Sequence, residues 1–327
     1  MPKVLIGPHL IRHQPGPFRD VLNQAGFTVV DPEAGFVMTD EDYRAHLPDV
    51  DAVIAGGEPL RGEVIDLAPR LRVIARTGVG YESVDLAASN RRKIAVVITP
   101  GTNQDSVAEQ AFALLLALTR NVAHSTEAIR TGGWDRRLVT PIRGKTLGLV
   151  GLGRIGQSVC SRARAFGMDL VACDPVAGDS IFEQSGARRV DLPELLAVSD
   201  VVSLHAPLND QTKGLVDREF LAAMKPGSYL INTARGGLVV DEDLRDSLTS
   251  GHLAGAGLDV FSVEPPGPEN VLIKLPNVVL SPHVGGTDSK SMSDMAELAA
   301  RAIVELFRGG WPEGCVVNEE IRPGWRW

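Results

Sequence analysis

Three side chains of the sequence are suited to acid–base chemistry on a carboxylic acid. Arg235 lies in the run Thr233-Ala234-Arg235-Gly236-Gly237, where its planar guanidinium could hold a carboxylate through two parallel hydrogen bonds. His283 follows Pro282, and imidazole is the side chain best suited to proton transfer near neutral pH. Glu264 could bind the second imidazole nitrogen, which fixes the tautomer and favours the protonated ring. Together the three side chains would orient a 2-oxo or 2-hydroxy acid and move its hydroxyl proton.

Each of these residues also has a simpler explanation. A single arginine is usually a solvated surface charge, a glutamate before two prolines is usually a loop charge, and a single histidine is more often structural than catalytic. Arg235 and His283 each follow a predicted strand, however, and Glu264 lies in a loop between them. Their joint occurrence in such positions favours the functional interpretation.

A glycine-rich unit precedes these residues. The apolar run 146–150 is followed by Gly151-Leu152-Gly153-Arg154-Ile155-Gly156, a helical pattern and a second apolar run, 170–173. In a dinucleotide-binding unit the first glycine permits the turn, the second lets the backbone approach a pyrophosphate, and the third lets helix pack on strand. The motif alone is weak evidence, because glycines also follow strands for steric reasons, but the surrounding strand–helix–strand pattern supports a nucleotide site.

Asp174 closes this unit and indicates which dinucleotide is bound. It lies about 20 positions after Gly153, where a carboxylate accepts hydrogen bonds from the adenosine ribose and repels a 2′-phosphate. The alternative is an ordinary turn formed by Asp174 and Pro175 at the end of the strand. The complete unit favours NAD over NADP.

A second glycine loop occurs earlier, in the run Arg76-Thr77-Gly78-Val79-Gly80-Tyr81. It follows the predicted strand 71–75, so it could simply be a tight turn before the next helix. The functional interpretation is that exposed backbone N–H groups in this loop bind a small anion such as a substrate carboxylate.

The elements that must position these residues alternate between strand and helix along the whole chain. The strand runs are short and almost continuously apolar, which is typical of parallel strands covered on both faces. Polar residues recur at the strand ends, and in a doubly wound sheet the carboxyl edge of the strands is where ligands bind. A long helix capped by Asn103 is predicted after residue 100, and another over 288–307. The polar stretch 131–143, with Trp134, is too long for a simple connection, and packing on a second subunit would explain it.

Composition limits the classes of protein. With 327 residues two domains are expected, and the 44% hydrophobic content is that of a globular protein. The net charge of −8 argues against a nucleic-acid-binding surface. The longest apolar run, 111–118, is too short to cross a bilayer, and the first residues lack the features of a signal peptide. Cys160, Cys173 and Cys315 are widely spaced, which predicts reduced thiols of a cytoplasmic protein and no metal site.

The sequence resembles the D-isomer-specific 2-hydroxyacid dehydrogenase family, especially its phosphoglycerate dehydrogenase and hydroxypyruvate/glyoxylate reductase branches. The resemblance extends from about Val53 to Val317 and weakens before it. It rests on the two glycine loops, on Gly101-Thr102-Asn103 with 106–109, on His205-Ala206-Pro207-Leu208 with Thr212, on 224–227 through Arg235-Gly236, on 258–261 with Glu264-Pro265, and on Pro282-His283-Val284-Gly285-Gly286.

The resemblance implies an α/β protein with two doubly wound parallel-sheet domains, in which a Rossmann NAD-binding domain is inserted into a flavodoxin-like substrate domain. The chain would cross between domains near Pro100 and near Thr287, so residues 1–99 and 288–327 would form the substrate domain and residues 100–287 the NAD-binding domain. Closure about these crossings would exclude water. A cytoplasmic homodimer is implied as well.

The resemblance also implies roles for individual residues. Arg235 would bind the substrate carboxylate and carbonyl, with Val79 and Gly80 adding main-chain donors. His283 would move the hydroxyl proton while a hydride passes to or from NAD, and Glu264 would support His283. The residues lining the cofactor would be Gly151, Gly153, Arg154, Ile155, Gly156, Asp174, His205, Ala206, Pro207, Thr212, Thr233, Ala234, Asp259 and Gly285.

Two departures from the family pattern bear on the substrate. Glu82-Ser83 stands where Asp-Asn is common, which affects a local turn. The candidate specificity loop, Gly56-Gly57-Glu58-Pro59-Leu60, carries an acid where a phosphorylated substrate would favour a cation, although Arg61 is nearby. Phosphoglycerate dehydrogenase and hydroxypyruvate/glyoxylate reductase activities therefore both stay open, as does the direction of the reaction.

A different class of function is also open. The family includes transcriptional co-repressors that keep this fold and these residues, so the chain could be an NAD(H)-sensing binding protein. Such a protein would bind NADH without turning over 2-oxo acids. A carboxyl-free substrate such as formate fits less well, because Arg235 is placed to hold a carboxylate.

Overall fold

The computed structural model describes residues 1–327, which form twelve α-helices and twelve strands. The strands are β1 (Lys3–Ile6), β2 (Thr28–Val30), β3 (Ala52–Ala55), β4 (Val73–Arg76), β5 (Ala95–Val97), β6 (Thr146–Val150), β7 (Asp169–Cys173), β8 (Arg188–Arg189), β9 (Val201–Leu204), β10 (Tyr229–Asn232), β11 (Gly255–Leu258) and β12 (Val278–Leu280). The helices are α1 (Pro17–Gln24), α2 (Asp40–His46), α3 (Gly62–Ile65), α4 (Leu86–Arg91), α5 (Gln104–Thr119), α6 (Val122–Arg130), α7 (Arg154–Ala165), α8 (Asp179–Ser185), α9 (Leu192–Val198), α10 (Arg218–Ala223), α11 (Asp241–Thr249) and α12 (Ser289–Phe307).

The chain divides into two compact units. Unit 1 comprises Met1–Asn103 and Gly286–Trp327, and unit 2 comprises Gln104–Gly285. Unit 1 is therefore built from two separate parts of the sequence, and unit 2 from one continuous part. The prediction of two parallel-sheet α/β domains is confirmed.

Unit 1 contains a five-stranded parallel sheet with the strand order β2-β1-β3-β4-β5. This is the flavodoxin-like order, in which the direction of winding reverses between the first and third strands. Strands β3 and β4 are buried along their whole length, because helices cover both faces of the sheet. Such strands read as unbroken apolar runs in the sequence.

Helix α12 forms a large part of the core of unit 1. Asp288 caps it by accepting hydrogen bonds from the N–H groups of Lys290 and Ser291 at 2.8 Å. Its buried face packs against α1 and against β3 and β4. Although α12 is the longest helix, with 19 residues, neither it nor any other helix has the length and apolar character needed to cross a bilayer.

Unit 2 contains a seven-stranded parallel sheet with the order β12-β11-β10-β9-β6-β7-β8. Counted from β6, the winding proceeds outward through β7 and β8 and then returns to β9, which pairs with the other side of β6. This reversal is the topological switch point of a Rossmann sheet, where dinucleotides bind at the carboxyl ends of the strands.

Several short elements were not predicted from the sequence. Helix α6 has no buried residue, so it lacks the periodic apolar face by which amphipathic helices are recognised. Helix α2 and strand β8 are short, and α3 covers only four residues.

Candidate active site

The glycine turn after β6 occupies the switch point of unit 2. Gly151 has a φ of +99°, and a Cβ there would lie 2.7 Å from the carbonyl carbon of His205. A Cβ on Gly156 would lie 2.6 Å from the carbonyl oxygen of Gly151. Gly153 differs, because a Cβ there would have no atom within 4 Å. The first and third glycines are thus required by the protein's own packing, and the second borders open space beside the start of α7.

Asp174 lies at the end of β7, beside this turn. One carboxylate oxygen, Oδ2, accepts the N–H of Leu152 at 2.7 Å, and Oδ1 accepts the N–H groups of Val176 and Ala177 at 2.9 and 3.0 Å. The carboxylate is therefore held in place by the backbone of both loops. Each oxygen has two lone pairs, so Oδ2 can also accept a ribose hydroxyl.

Features of unit 2 fit a bound dinucleotide. The backbone at Gly153 leaves room for a pyrophosphate at the N-terminus of α7, where helix N–H groups attract anions. At the end of β10 the hydroxyl of Thr233 is buried and has no hydrogen-bond partner, which is a cost unless a ligand satisfies it. Gly153, after β6, and Thr233, after β10, are both among the residues predicted to line the cofactor.

His205, which follows β9, is held neutral. Burial lowers its pKa to about 4, because a charged imidazole is poorly solvated there. Its Nε2 lies 2.9 Å from the hydroxyl of Ser203. Ser203 was not predicted as part of the site, although it lies in β9 two residues before His205, a spacing that places both side chains on one face of an extended chain.

Beyond His205 the chain forms a tight loop. The hydroxyl of Thr212 donates to the carbonyl of Pro207 at 2.6 Å and accepts the N–H of Asn209 at 2.9 Å. These bonds fix the path of the loop that contains Ala206 and Pro207. In this structure the Thr212 hydroxyl therefore stabilises the backbone of its own loop.

His283 and Glu264 are in direct contact. Nδ1 of His283 lies 2.7 Å from Oε2 of Glu264, so the ring presents Nε2 for other partners. Burial alone would raise the pKa of Glu264, but the hydrogen bond and charge of His283, the N–H of Phe261 and the charge of Arg235 hold that pKa below its ordinary value. Glu264 therefore stays ionised and supports a proton on Nδ1.

The loop carrying His283 is fixed by Asp259, at the end of β11. His283 has a φ of +53°, a conformation that is unfavourable for a residue with a Cβ and often found at functional sites. Its N–H donates to the carbonyl of Asp259 at 2.8 Å. The Asp259 carboxylate, which is 1% exposed, accepts the N–H groups of Val284 and Gly285 at 3.0 and 2.8 Å.

Asp259 thus holds the backbone around His283, and the cofactor-lining role that the resemblance implies for it stays a prediction. The hydroxyl of Ser281 completes this anchor by donating to Asp259 at 2.5 Å and accepting from Gln110 at 2.7 Å. Neither Ser281 nor Gln110 was predicted. Only the position of Ser281 next to Pro282-His283 could have indicated it.

Arg235 begins the 3₁₀ turn Gly236–Leu238 after β10. The side chain of Asn232 braces this turn, because its Nδ2 donates to the carbonyl of Arg235 at 2.9 Å and its Oδ1 accepts the N–H of Ala234 at 3.0 Å. Arg235 is near enough to Glu264 to lower that residue's pKa. Unit 2 therefore brings Arg235, Glu264 and His283 into one cluster at the carboxyl edge of its sheet.

Val79 and Gly80 belong to unit 1 and follow β4. Thr99 holds the start of their loop, since its hydroxyl accepts the N–H of Gly78 at 2.9 Å. Arg76 holds the other end, since its Nε donates to the carbonyl of Gly80 at 3.1 Å. The N–H groups of Val79 and Gly80 donate to no acceptor, so this loop can offer two main-chain donors to an anion.

The chain thus combines a Rossmann sheet, with a glycine turn at its switch point, and a flavodoxin-like unit, an arrangement of two α/β units typical of dinucleotide-binding proteins. Residues 112–285 match the family model described as D-isomer specific 2-hydroxyacid dehydrogenase, NAD binding domain. The chain belongs to the D-isomer specific 2-hydroxyacid dehydrogenase family, and residues 112–285 form its NAD-binding domain.

Individual relatives support this assignment. The chain is 40% identical over 288 residues to D-3-phosphoglycerate dehydrogenase of Mycobacterium leprae, a match that covers 85% of this chain and 54% of the relative. It therefore spans about half the length of that protein. It is 39% identical over 270 residues to glyoxylate reductase of Korarchaeum cryptofilum, which covers 81% of both chains. Among solved structures, the TT0316 protein from Thermus thermophilus is similar with a TM-score of 0.86 and 38% identity, over 96% of this chain and 100% of that one.

Proposed function

We propose that this chain catalyses the NAD-dependent interconversion of D-2-hydroxy acids and 2-oxo acids, with unit 2 binding NAD and unit 1 contributing to binding of the acid. The observation that carries this proposal is the 2.7 Å contact between Glu264 and Nδ1 of His283, in a family whose members act on 2-hydroxy acids. This is the geometry of an oriented acid–base imidazole.

In this proposal the protein binds, orients and moves a proton. Arg235 holds the substrate carboxylate and carbonyl, and the N–H groups of Val79 and Gly80 add donors to the carboxylate. His283 gives a proton to the carbonyl oxygen through Nε2 during reduction and takes it back during oxidation. Glu264 keeps Nδ1 protonated throughout. When bound, NAD supplies the acceptor or donor of the hydride.

The cofactor contacts are proposed as well. The turn from Gly151 to Gly156, with Arg154 and Ile155 at the start of α7, would surround the pyrophosphate. Asp174 would accept the adenosine ribose hydroxyls. His205, Ala206, Pro207, Thr212, Thr233, Ala234, Asp259 and Gly285 would surround the rest of the cofactor, the last two from behind the His283 loop.

The test is the initial rate of NADH oxidation with a panel of 2-oxo acids: glyoxylate, hydroxypyruvate, phosphohydroxypyruvate, pyruvate and branched acids. His283→Ala should lower kcat by about 10² to 10⁴, the usual contribution of general acid–base catalysis. His46→Ala, which removes an imidazole from α2 in unit 1, should leave kcat unchanged. Turnover by His283→Ala at the wild-type rate would exclude the proposed role.

The same panel separates the enzyme from an NAD(H)-sensing binding protein. The binding-protein alternative predicts measurable NADH affinity and no turnover of any acid. The enzyme proposal predicts turnover of at least one acid, and the preferred acid distinguishes a glyoxylate or hydroxypyruvate reductase from a phosphoglycerate dehydrogenase.

We also propose that the protein is a homodimer formed through residues 122–139. Helix α6 has no buried residue, and the segment exposes large apolar side chains, including Ile129, Trp134 at 80% exposure and Leu138 at 102%. Exposed apolar groups clustered in one segment are typical of interaction surfaces, and aromatic anchors dominate such interfaces.

Light scattering after size exclusion tests this. The wild type should have twice the mass of one chain, and a Trp134→Ala, Leu138→Ser double variant should shift toward the mass of one chain. Val176→Ser, which changes an apolar side chain that is 91% exposed elsewhere in unit 2, is the control. A wild-type monomer would refute the dimer.

We also propose that the protein is located in the cytoplasm. Cys160, Cys173 and Cys315 are all free thiols, and unpaired cysteines are typical of reducing compartments. Fractionation of cells producing the protein should recover it with cytoplasmic markers.

A further inference from the structure

A buried acid lies at the switch point of unit 1. The winding of this sheet reverses between β1 and β3, and in flavodoxin-like sheets ligands bind at the carboxyl ends of these strands. Glu58 follows β3 there and is 8% exposed. The mechanism proposed above does not use it.

The carboxylate of Glu58 is held on one side only. Its Oε1 accepts the hydroxyl of Tyr43 at 2.6 Å and the N–H of Gly56 at 2.9 Å. Its Oε2 accepts no hydrogen bond, and Glu58 forms no ion pair. A Cβ on Gly7 or Gly56 would lie within 2.7 Å of a carboxylate oxygen, so the surrounding backbone makes room for this group. The charges of Arg12 and Arg76 act on its partner Tyr43, but no arginine is ion-paired with Glu58 itself. A buried acid that is not ion-paired costs stability, which favours a functional reason for its presence.

The loop that carries Glu58 runs beside the loop that carries Val79 and Gly80. The two loops start together, because the N–H of Thr77 donates to the carbonyl of Ala55 at 2.9 Å. They rejoin where the N–H of Leu60 donates to the carbonyl of Ser83 at 2.7 Å. Adjacent parallel strands are about 4.8 Å apart, so an acid whose carboxylate is bound at Val79 and Gly80 has its other substituent within reach of Glu58.

The arginines near this edge are already engaged. The terminal nitrogens of Arg12 donate to the carbonyls of Gly7, Ala34 and Gly35 at 2.5, 2.8 and 3.0 Å, which leaves the buried Nε–H and one N–H of Nη2 without an acceptor. Arg61 is ion-paired with Asp40. Arg76 is buried and bonded to the carbonyl of Gly80. These interactions reduce the number of arginine donors that the edge can offer to a phosphate.

We infer that Glu58 selects the substrate by the charge of its distal substituent. Oε2 accepts a hydrogen bond from a hydroxyl or ammonium group on the 2-oxo acid, and the carboxylate repels a phosphate or second carboxylate at the same place. The inference rests on the proposed function and specifies its substrate class: 2-oxo acids with a neutral or cationic side chain, in preference to phosphohydroxypyruvate.

The test compares kcat/KM for hydroxypyruvate and phosphohydroxypyruvate, which differ only in the phosphate. The wild type should favour hydroxypyruvate by at least about tenfold, because repulsion between like charges in a partly buried site readily exceeds the roughly 1.4 kcal/mol that changes a rate constant tenfold. Glu58→Gln keeps the shape and removes the charge, and should reduce this ratio about tenfold or more. Glu63→Gln, in α3 just beyond the loop and exposed in an ion pair with Arg44 at 3.2 Å, should leave the ratio unchanged.

A second comparison needs no variant. In the wild type, pyruvate should be reduced faster than oxaloacetate, and 2-oxo-4-aminobutyrate should be at least as good as pyruvate. A wild-type preference for phosphohydroxypyruvate or oxaloacetate would overturn the inference, as would a hydroxypyruvate preference that persists undiminished in folded Glu58→Gln. Turnover without charge discrimination refutes this inference alone, whereas no turnover of any 2-oxo acid refutes it together with the proposed function.

Discussion

Alanine substitutions at Gly151 and Gly153 should separate folding from cofactor binding. Gly151 has a φ of +99°, and an added Cβ would lie 2.7 Å from the backbone of His205. The left-handed conformation costs an alanine about 1–2 kcal/mol, and a backbone clash in a packed region costs about 1–3 kcal/mol more. Gly151→Ala should therefore lower the free energy of unfolding by about 2–5 kcal/mol.

Gly153→Ala should instead leave the stability intact and weaken NAD binding. Its φ of −69° suits alanine, and no atom lies within 4 Å of the added Cβ, so the free energy of unfolding should stay equal or rise by up to about 1 kcal/mol. The methyl group would occupy the approach of the pyrophosphate to α7. Loss of one charge-assisted hydrogen bond, worth about 1.5–3 kcal/mol, should raise the Kd for NAD by about 10- to 100-fold.

Urea unfolding without cofactor and calorimetric titration with NAD measure the two effects separately. Only Gly151→Ala should lose stability, whereas Gly153→Ala should keep full stability and bind NAD more weakly. Equal stability losses in both variants, or normal NAD affinity in Gly153→Ala, would refute it.

Three further predictions concern titration and cofactor choice. The folded-state pKa of Glu264 is lowered, so ionised Glu264 should stabilise the fold above pH 4.5, by about 0–1 kcal/mol for a partly exposed pair. This stabilisation should disappear as the pH falls through the lowered pKa. Urea midpoints of wild type and Glu264→Gln should therefore converge in acid. His205 should titrate near pH 4 by NMR, and stability should fall as pH falls from 6.5 to 4, because the unfolded imidazole binds its proton first; titration near 6.5 would contradict its burial. Asp174→Ala should lower the NADH to NADPH ratio of kcat/KM at least about tenfold, and an unchanged ratio would remove Asp174 from ribose recognition.

The sequence predicted the fold well because the strands are buried on both faces. Runs such as 52–55 and 201–204 are apolar almost throughout, and each lies in a parallel strand. Helix α12 was predicted because its apolar face keeps helical spacing over many turns and Asp288 provides a cap. Helix α6 was not, because a helix with no buried residue has no such face.

The site was predictable where neighbours in sequence or strand ends determine it. The contact of Glu264 with His283 was expected and is present at 2.7 Å. The anchoring of the His283 loop by Asp259 and the bond between Tyr43 and Glu58 were not foreseen, because each joins residues whose proximity depends on how distinct elements pack. Polar partners across such distances leave no periodic signal in a single sequence.

The discontinuity of unit 1 has a consequence for synthesis on the ribosome. The N–H of Val96 in β5 donates to Oδ1 of the fully buried Asn318 at 2.9 Å, across 222 positions of sequence. Asn318 in turn donates to the carbonyl of Ile94 and to Asn90. The growing chain can complete unit 2, which is continuous, before these partners of β5 have been made. The outer N–H groups of β5, on the side away from β4, must then stay unpaired for roughly 10 to 40 seconds at ordinary translation rates of about 5–20 residues per second. Nascent chains arrested before residue 316 should therefore be the ones that recruit chaperones.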